Sequence, residues 1–254
     1  MEHLDHVDST NTWLARRARE GATGHHAVYC DFQSEGRGRL DRVWRAPAGS
    51  SLLCSALLAT PPTPVAPQWV VVAAALSVCD ALDVLSGRRP TLKWPNDVLF
   101  DERKVAGLLA EVVAAESRDH PNVASDAPHP RSDMVVVGLG LNLHAVDPHY
   151  AGATTVLEAT GASLEPAGVL DAYLDALGER RASLDTAAGR ASLRERYLEE
   201  LATLGRDVRV ELVGGVVRGR AVGIDEDGAL IVDTGDERRT FAAGDVVHLR
   251  GEES

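Results

Sequence analysis

The stretch TLKWPNDVLFDERKVAGLLAE, residues 91–111, decides how this chain is read. Two apolar runs with strand character, LKWPNDVLF and KVAGLLAEVVAA, flank a short polar turn at Asp101 to Arg103, which predicts two joined strands. Pro95 lacks a backbone donor, so the first run should end or edge a strand and turn Asn96 and Asp97 toward a pocket. A plain Pro-Asn-Asp turn satisfies the same pattern. Lysine shifts the balance toward a site over chance survival of two surface residues: Lys93 and Lys104, both in this stretch, stand against 24 arginines in the whole chain. A compact ammonium beside a reacting phosphate or carboxylate is not replaceable by a planar guanidinium, so lysine kept only here points to a site. Gly107 follows Lys104 by three, where bare backbone lets a ligand approach.

Toward the N-terminus, WVVVAAALSVCDALDVLSG carries a continuous apolar stripe ending at Ser86-Gly87, a long buried helix with a glycine stop. PPTPVAPQ before it must break regular structure. SSLLCSALLA and HHAVYCDF read as strands, and QSEGRGRLDRVW between them as a mobile loop. That loop sets Arg37, Arg39 and Arg42, with Arg45 just beyond, in a chain of net charge −12. Glycines for close approach and forked guanidinium donors describe an anion-binding loop that orders over its ligand, although the spacing is neither a Walker loop nor a Rossmann turn. Trp44 could cover a nucleobase or ligand ring, or serve as a hinge residue packed on the core. MEHLDHVDST reads as an acidic leader, with Asp8, Ser9 and Thr10 able to cap a helix from Ser9 to Arg19.

Toward the C-terminus, SRDHPNVASDAPHPRSD is a polar, proline-bearing insertion expected to be poorly ordered. MVVVGLGLNL resumes as a buried strand in which Gly138 and Gly140 again bare the backbone and Asn142 offers an amide that donates and accepts. Residues 165–204 show two amphipathic helical segments. At Gly205 short alternating runs separated by Gly and Asp turns begin, the pattern of a small β-barrel. This divides the chain into residues 1–204 and 205–254.

With 26 basic against 38 acidic residues the surface repels polyphosphate, which disfavours a general nucleic-acid binder. The longest apolar run, Trp69 to Cys79, is too short for a bilayer and MEHLDHVDST is no signal peptide, so a soluble, cytoplasmic chain is expected. Cys30, Cys54 and Cys79 lack CxxC spacing and read as buried hydrophobes, and His3/His6 and His25/His26 have no zinc-like pattern around them.

STN (Ser9 to Asn11), QSEGRGRLDRVW, KWPNDVL, KVAGLLAE and GLGLNL, in this order and spacing, resemble the biotin protein ligases of bacteria and archaea. The ending GIDEDGALIVDTG…GDVVHLR resembles that family's C-terminal SH3-like barrel. The resemblance covers nearly the whole chain. It implies an α+β, class II synthetase-like biotin/lipoate ligase fold, a mixed sheet with flanking helices followed by the barrel. It further implies a catalytic-only chain without the DNA-reading domain of some relatives. Ser9, Thr10, Asn11 and Gln33 would line the biotin pocket with Gly107, while Arg37, Gly38 and Arg39 would close over biotin and the adenylate. Lys104 would sit where the biotin carboxylate meets the α-phosphate. Lys93, Asn96 and Asn142 would hold ATP, with Arg39, Arg42 and Trp44 beside it.

The implied chemistry is activation of biotin to biotinyl-5′-AMP with ATP and Mg²⁺, metal ligands unassigned, then transfer to a lysine of the biotin carboxyl carrier domain of an acetyl-CoA or related carboxylase. Lys104, Arg37 and Arg39 would supply the charge, with no enzyme nucleophile. Asp41 departs from the family loop, where glycine is usual, and would add a carboxylate beside the phosphates. Monomer and homodimer both fit. The rivals are a lipoate or octanoate ligase, whose acyl pocket needs few polar groups, a non-catalytic biotin sensor, and a DNA-binding regulator, disfavoured by the acidic balance.

Overall fold

The chain folds in the order β1 (Glu2–Val7), α1 (Thr10–Arg19), β2 (His26–Gln33), β3 (Ser51–Ala59), α2 (Pro67–Ser86), β4 (Thr91–Lys93), β5 (Asp97–Phe100), β6 (Arg103–Val113) and β7 (Met134–Asn142). Then come α3 (Val156–Thr160), α4 (Pro166–Ser183), α5 (Ala187–Glu200), β8 (Asp207–Leu212), β9 (Gly215–Ile224), β10 (Leu230–Asp233), β11 (Arg238–Phe241) and β12 (Asp245–His248). This computed structural model describes residues 1–22, 26–40, 42–60, 65–113, 134–150, 152–212 and 214–249. Asp41 and the insertion at 116–133 lie outside the described residues.

Seven strands form one mixed sheet in the order β1-β2-β3-β7-β6-β5-β4, parallel between β1 and β2 and antiparallel across its other pairs. Side chains alternate across it, so each strand serves two layers. Leu52, Cys54, Ala56, Val137 and Leu139 point into the main core under α2 and α4. Leu57, Val136 and Val113 face the other way with Leu14 of α1. The short α1 covers only part of that second face. Along the uncovered part, β7 presents Gly138, Gly140 and Asn142, a strand floor almost without side chains.

The predicted apolar helix is α2, and its glycine stop holds: Gly87 adopts a left-handed φ of 67° and its N–H returns to Asp83. It begins earlier than the apolar stripe, at Pro67, because proline is tolerated at a first helical position. At 20 residues it is long and apolar enough to cross a bilayer, in contrast to the shorter run read from sequence. Residues from Trp69 to Leu82 are nevertheless buried in protein, all but Asp80. On its far side Arg89 bonds Asp80 and Glu200, and Arg180 bonds Asp80, joining α2, α4 and α5.

Several elements depart from expectation. The acidic leader is strand β1, an edge strand whose exposed side keeps it polar while its backbone pairs with β2. LKWPNDVLF is two short strands, β4 and β5, antiparallel about Trp94–Asn96, where the Trp94–Pro95 bond is cis. Asp101 and Glu102 turn β5 into β6 with positive φ at both residues. The GRGR segment folds back on itself, with Arg37 bridged to Val43 and the Trp44 N–H on the Gly36 carbonyl. Ser9 precedes α1 without capping it through its side chain.

The C-terminal strands form an antiparallel sheet in the order β11-β10-β9-β8-β12. Its apolar residues, among them Val208, Ala221 and Leu230, join the same core as α2. The indoles of Trp69 and Trp94 donate to the carbonyls of Glu226 and Gly228 at 2.7 and 3.0 Å. A third link runs through Thr203, whose Oγ1 accepts from the Trp94 N–H at 3.0 Å and lies 3.1 Å from His248 Nε2.

The direction of that link follows the ring's protonation: a bare Nε2 accepts from the hydroxyl, and a protonated one donates to it. Burial lowers the His248 pKa, outweighing the opposing pull of Glu102. A histidine whose folded pKa lies below its ordinary 6.5 contributes stability that is fully present above pH 6.5 and lost as the pH falls beneath it. Urea midpoints should therefore drop below pH 6.5, and His248→Gln should flatten that part of the profile; an unchanged profile would exclude His248 as the cause.

Candidate active site

A cleft of about 300 Å³ opens over the glycine floor, between the GRGR hairpin, the Trp94–Asp97 turn and β12. All fourteen residues expected at the site line it. They divide into a polar end, an apolar middle and a cationic end.

At the polar end, Thr10 donates to Gln33 Oε1 through both its N–H, at 2.8 Å, and its hydroxyl, at 3.1 Å. Ser55, buried on β3, stands 2.8 Å from Thr10 Oγ1 and 2.6 Å from Asn11 Oδ1. Asn11 Nδ2 donates to Glu111 at 2.8 Å and to the Leu109 carbonyl at 3.3 Å. Ser9 is buried beside them. The start of α1 thus spends its hydroxyl and amide groups on the pocket.

The middle is not the bare backbone expected. A Cβ at Gly140 would run into the Trp44 ring, and one at Gly138 would run into the Asn11 amide, 2.9 Å from Cγ. These glycines admit the chain's own side chains. Trp44 packs on the floor and not at the margin, and among the described residues no acceptor reaches its indole N–H.

At the cationic end, Lys104 Nζ lies 2.6 Å from Asp97 and 5.4 Å from the centre of the Trp44 ring. A regular strand would place Lys104 and Gly107 on opposite faces. A register shift between Val98 and Leu99, which pairs Leu99 with Lys104 and Val98 with Ala106, turns both into the cleft. Lys93 lies beside them, its pKa lowered by burial, against the pull of Asp97, and further by the nearby Lys104 charge. Asn96 Nδ2 donates to the Leu108 carbonyl at 2.5 Å and its Oδ1 accepts from Arg39 at 3.4 Å. Asn142 donates to the Thr154 carbonyl at 3.2 Å, so its amide is partly committed within the chain.

The hairpin is anchored. Arg37 pairs with Glu111 at 2.8 Å, Arg39 donates to the Gly244 carbonyl at 3.3 Å, Arg42 pairs with Asp245, and the Tyr150 hydroxyl donates to the Val43 carbonyl. Burial lowers the Arg39 pKa, with Asp245 and Asp97 opposing it. Gly38 completes the hairpin through its N–H on the Arg42 carbonyl at 2.7 Å.

Sequence reasoning turned Asp97 toward a pocket without its pairing to Lys104, and gave no role to Ser55, Glu111, Tyr150 or Asp245. Signals existed for two: Ser55 is a polar residue inside an apolar strand run, and Glu111 lies at even spacing from Gly107. Asp245 is 203 residues from its partner, and nothing local marks it. Burial pushes the Cys30 thiol up to about 12, and raises Cys54 and Cys79 as well, which suits inert apolar side chains. His3 faces two carboxylates, Asp5 and Asp31, contrary to the sequence reading, but all three are exposed and none lines the cleft.

Residues 4–123 match the Biotin/lipoate A/B protein ligase family, and residues 203–249 match the Biotin protein ligase C terminal domain. The chain is 36% identical to the biotin–[acetyl-CoA-carboxylase] ligase of Mycobacterium tuberculosis, over 98% of this chain and 89% of that protein. It is 33% identical to the protein of the same name from Paracoccus denitrificans, over 96% and 98%. The structure of the Aquifex aeolicus biotin protein ligase in complex with biotin and ATP superposes with a TM-score of 0.77 at 28% identity, covering 98% of each chain. Fold, cleft and sequence agree, and the chain belongs to the biotin protein ligase family.

Proposed function

We propose that this chain joins biotin to ATP, forming biotinyl-5′-AMP and pyrophosphate, and passes the biotinyl group to a lysine of the biotin carboxyl carrier domain of an acetyl-CoA or related carboxylase. The observation that carries this is one cleft with a neutral hydrogen-bonding end and a cationic end, joined by an apolar middle. Biotin has a neutral ureido ring, an aliphatic chain and a carboxylate, in that order. Thr10, Asn11 and Gln33, with Ser9 and Ser55 behind them, offer donors and acceptors to the ureido group. The alkyl chain would cross the glycine floor toward Lys104.

In the first step a biotin carboxylate oxygen attacks the α-phosphorus of ATP, the bond to the β-phosphate breaks, and pyrophosphate leaves with the electron pair. Lys104, held by Asp97, and Arg39 meet the charge on the phosphate oxygens, which is positioning and electrostatic catalysis without an enzyme nucleophile. Lys93, Asn96, Asn142 and Arg42 surround the remaining nucleotide, and Mg²⁺ enters with ATP as substrate. In the second step the acceptor amine attacks the acyl carbon, AMP leaves, and the amine proton passes to solvent. The hairpin, with Arg37 and Gly38, keeps water from the anhydride.

The names of the Mycobacterium and Paracoccus relatives support this choice of acceptor. We place the reaction in the cytoplasm, and divide the chain at 204 into a catalytic unit and an SH3-like unit. The match to the C-terminal family from residue 203 supports that boundary. The test is calorimetric titration with biotin, then with biotin and MgATP, alongside pyrophosphate release. Expected are biotin binding that tightens with ATP and release that requires biotin. Turnover with lipoate or octanoate instead would transfer the substrate to the sister activity, and biotin binding without pyrophosphate would make the chain a sensor.

A further inference from the structure

Glu111 touches both ends of the closure. Its Oε2 accepts from Asn11 Nδ2 at 2.8 Å, while Arg37 reaches Oε1 at 2.8 Å and Oε2 at 3.1 Å. Asn11 belongs to the polar end through Ser55 and the Thr10–Gln33 pair. Arg37 belongs to the hairpin, bridged to Val43 across its base. One carboxylate therefore ties a pocket amide to a lid guanidinium, through residues 100 and 74 positions away in sequence.

Resting on the biotin-adenylating reading above, we propose that Glu111 is a positioning residue that latches the hairpin shut over biotinyl-adenylate by holding Arg37 against Asn11. Glu111 touches no reacting atom; it acts through the two residues it binds. The carboxylate suits the task because it accepts from both donors at once and neutralises the arginine, which would otherwise extend into water. The pair is half open, with Arg37 49% and Glu111 27% exposed, so water screens it. The latch is accordingly modest: losing it should speed escape of the adenylate about fivefold, what roughly 1 kcal/mol is worth.

The test is the rate at which enzyme-bound radiolabelled biotinyl-adenylate is released into a chase of unlabelled adenylate. Glu111→Ala and Arg37→Ala should each release it about fivefold faster, and the double variant should be no faster than Glu111→Ala, because Arg37 acts through Glu111. Glu111→Gln, which keeps an acceptor without the charge, should fall between. Unchanged release in Glu111→Ala, or single effects that multiply in the double variant, would overturn the latch. If Glu111→Ala does not fold, Arg37→Ala and Arg37→Ala/Glu111→Gln decide it: release must be about fivefold faster than wild type in the first and no faster than that in the second. A wild-type protein that forms no adenylate overturns the biotin reading before any variant is compared.

Discussion

Lys104→Ala should slow biotin-dependent pyrophosphate release by about two orders of magnitude, on the scale of roughly 3 kcal/mol for one lost preorganised electrostatic donor. The loss has two parts. The ammonium that meets the developing phosphate charge is gone, and Asp97, 2.6 Å from it in the intact protein, is left as an uncompensated carboxylate facing an anionic substrate. Lys104→Arg should not restore the rate. Nζ and Cε sit so close to the floor that a Cβ on Gly107 would lie 2.9 and 3.0 Å from them, and Trp44 closes the other side, so a planar guanidinium does not fit the ammonium's place. Single-turnover pyrophosphate release reads the effect, with circular dichroism confirming the fold. Adenylation near the wild-type rate in Lys104→Ala would remove Lys104 from the chemistry.

Gly138→Ala should weaken biotin binding about thirtyfold while leaving ATP binding in the absence of biotin nearly intact. Gly138 lies in ordinary extended strand, so the backbone accepts alanine; the new methyl group is the difficulty. Its Cβ would fall on the Asn11 amide, 2.9 Å from Cγ. Asn11 is short and held by Ser55, Glu111 and the Leu109 carbonyl, so it cannot yield without breaking hydrogen bonds worth about 1 kcal/mol each. Two such bonds lost, about 2 kcal/mol, give the thirtyfold change. Titration calorimetry with biotin and separately with ATP measures it. Unchanged biotin affinity would mean that Asn11 is not part of the biotin pocket.

Both variants lie in segments whose importance showed in sequence, but their mechanisms did not. Lysine retained only at 93 and 104 marked a site because ammonium and guanidinium differ in shape, a property of the residues themselves. Arginines between glycines in an acidic chain likewise singled out the hairpin that borders the cleft. Alternation along GLGLNL was also legible, since period two puts Gly138, Gly140 and Asn142 on one face wherever the strand lies. What fills the space over those glycines was not legible, because Asn11 and Trp44 arrive from other elements.

Local pattern likewise determined α2, the strands β3 and β7, and the change of texture at Gly205, since periodicity and glycine or proline stops act within a few residues. It misjudged β1, whose partner strand supplies the pairing that its own polar side chains do not announce. Tertiary structure alone decided the rest. The register shift opposite Lys104 turns that side chain into the cleft, and β12 brings Asp245 to Arg42 from 203 residues away. Glu111 joins lid to pocket only because β6 runs beneath both. A one-residue shift in pairing moves a side chain to the other face of a sheet, and that choice belongs to the neighbouring strands and not to the segment's own composition.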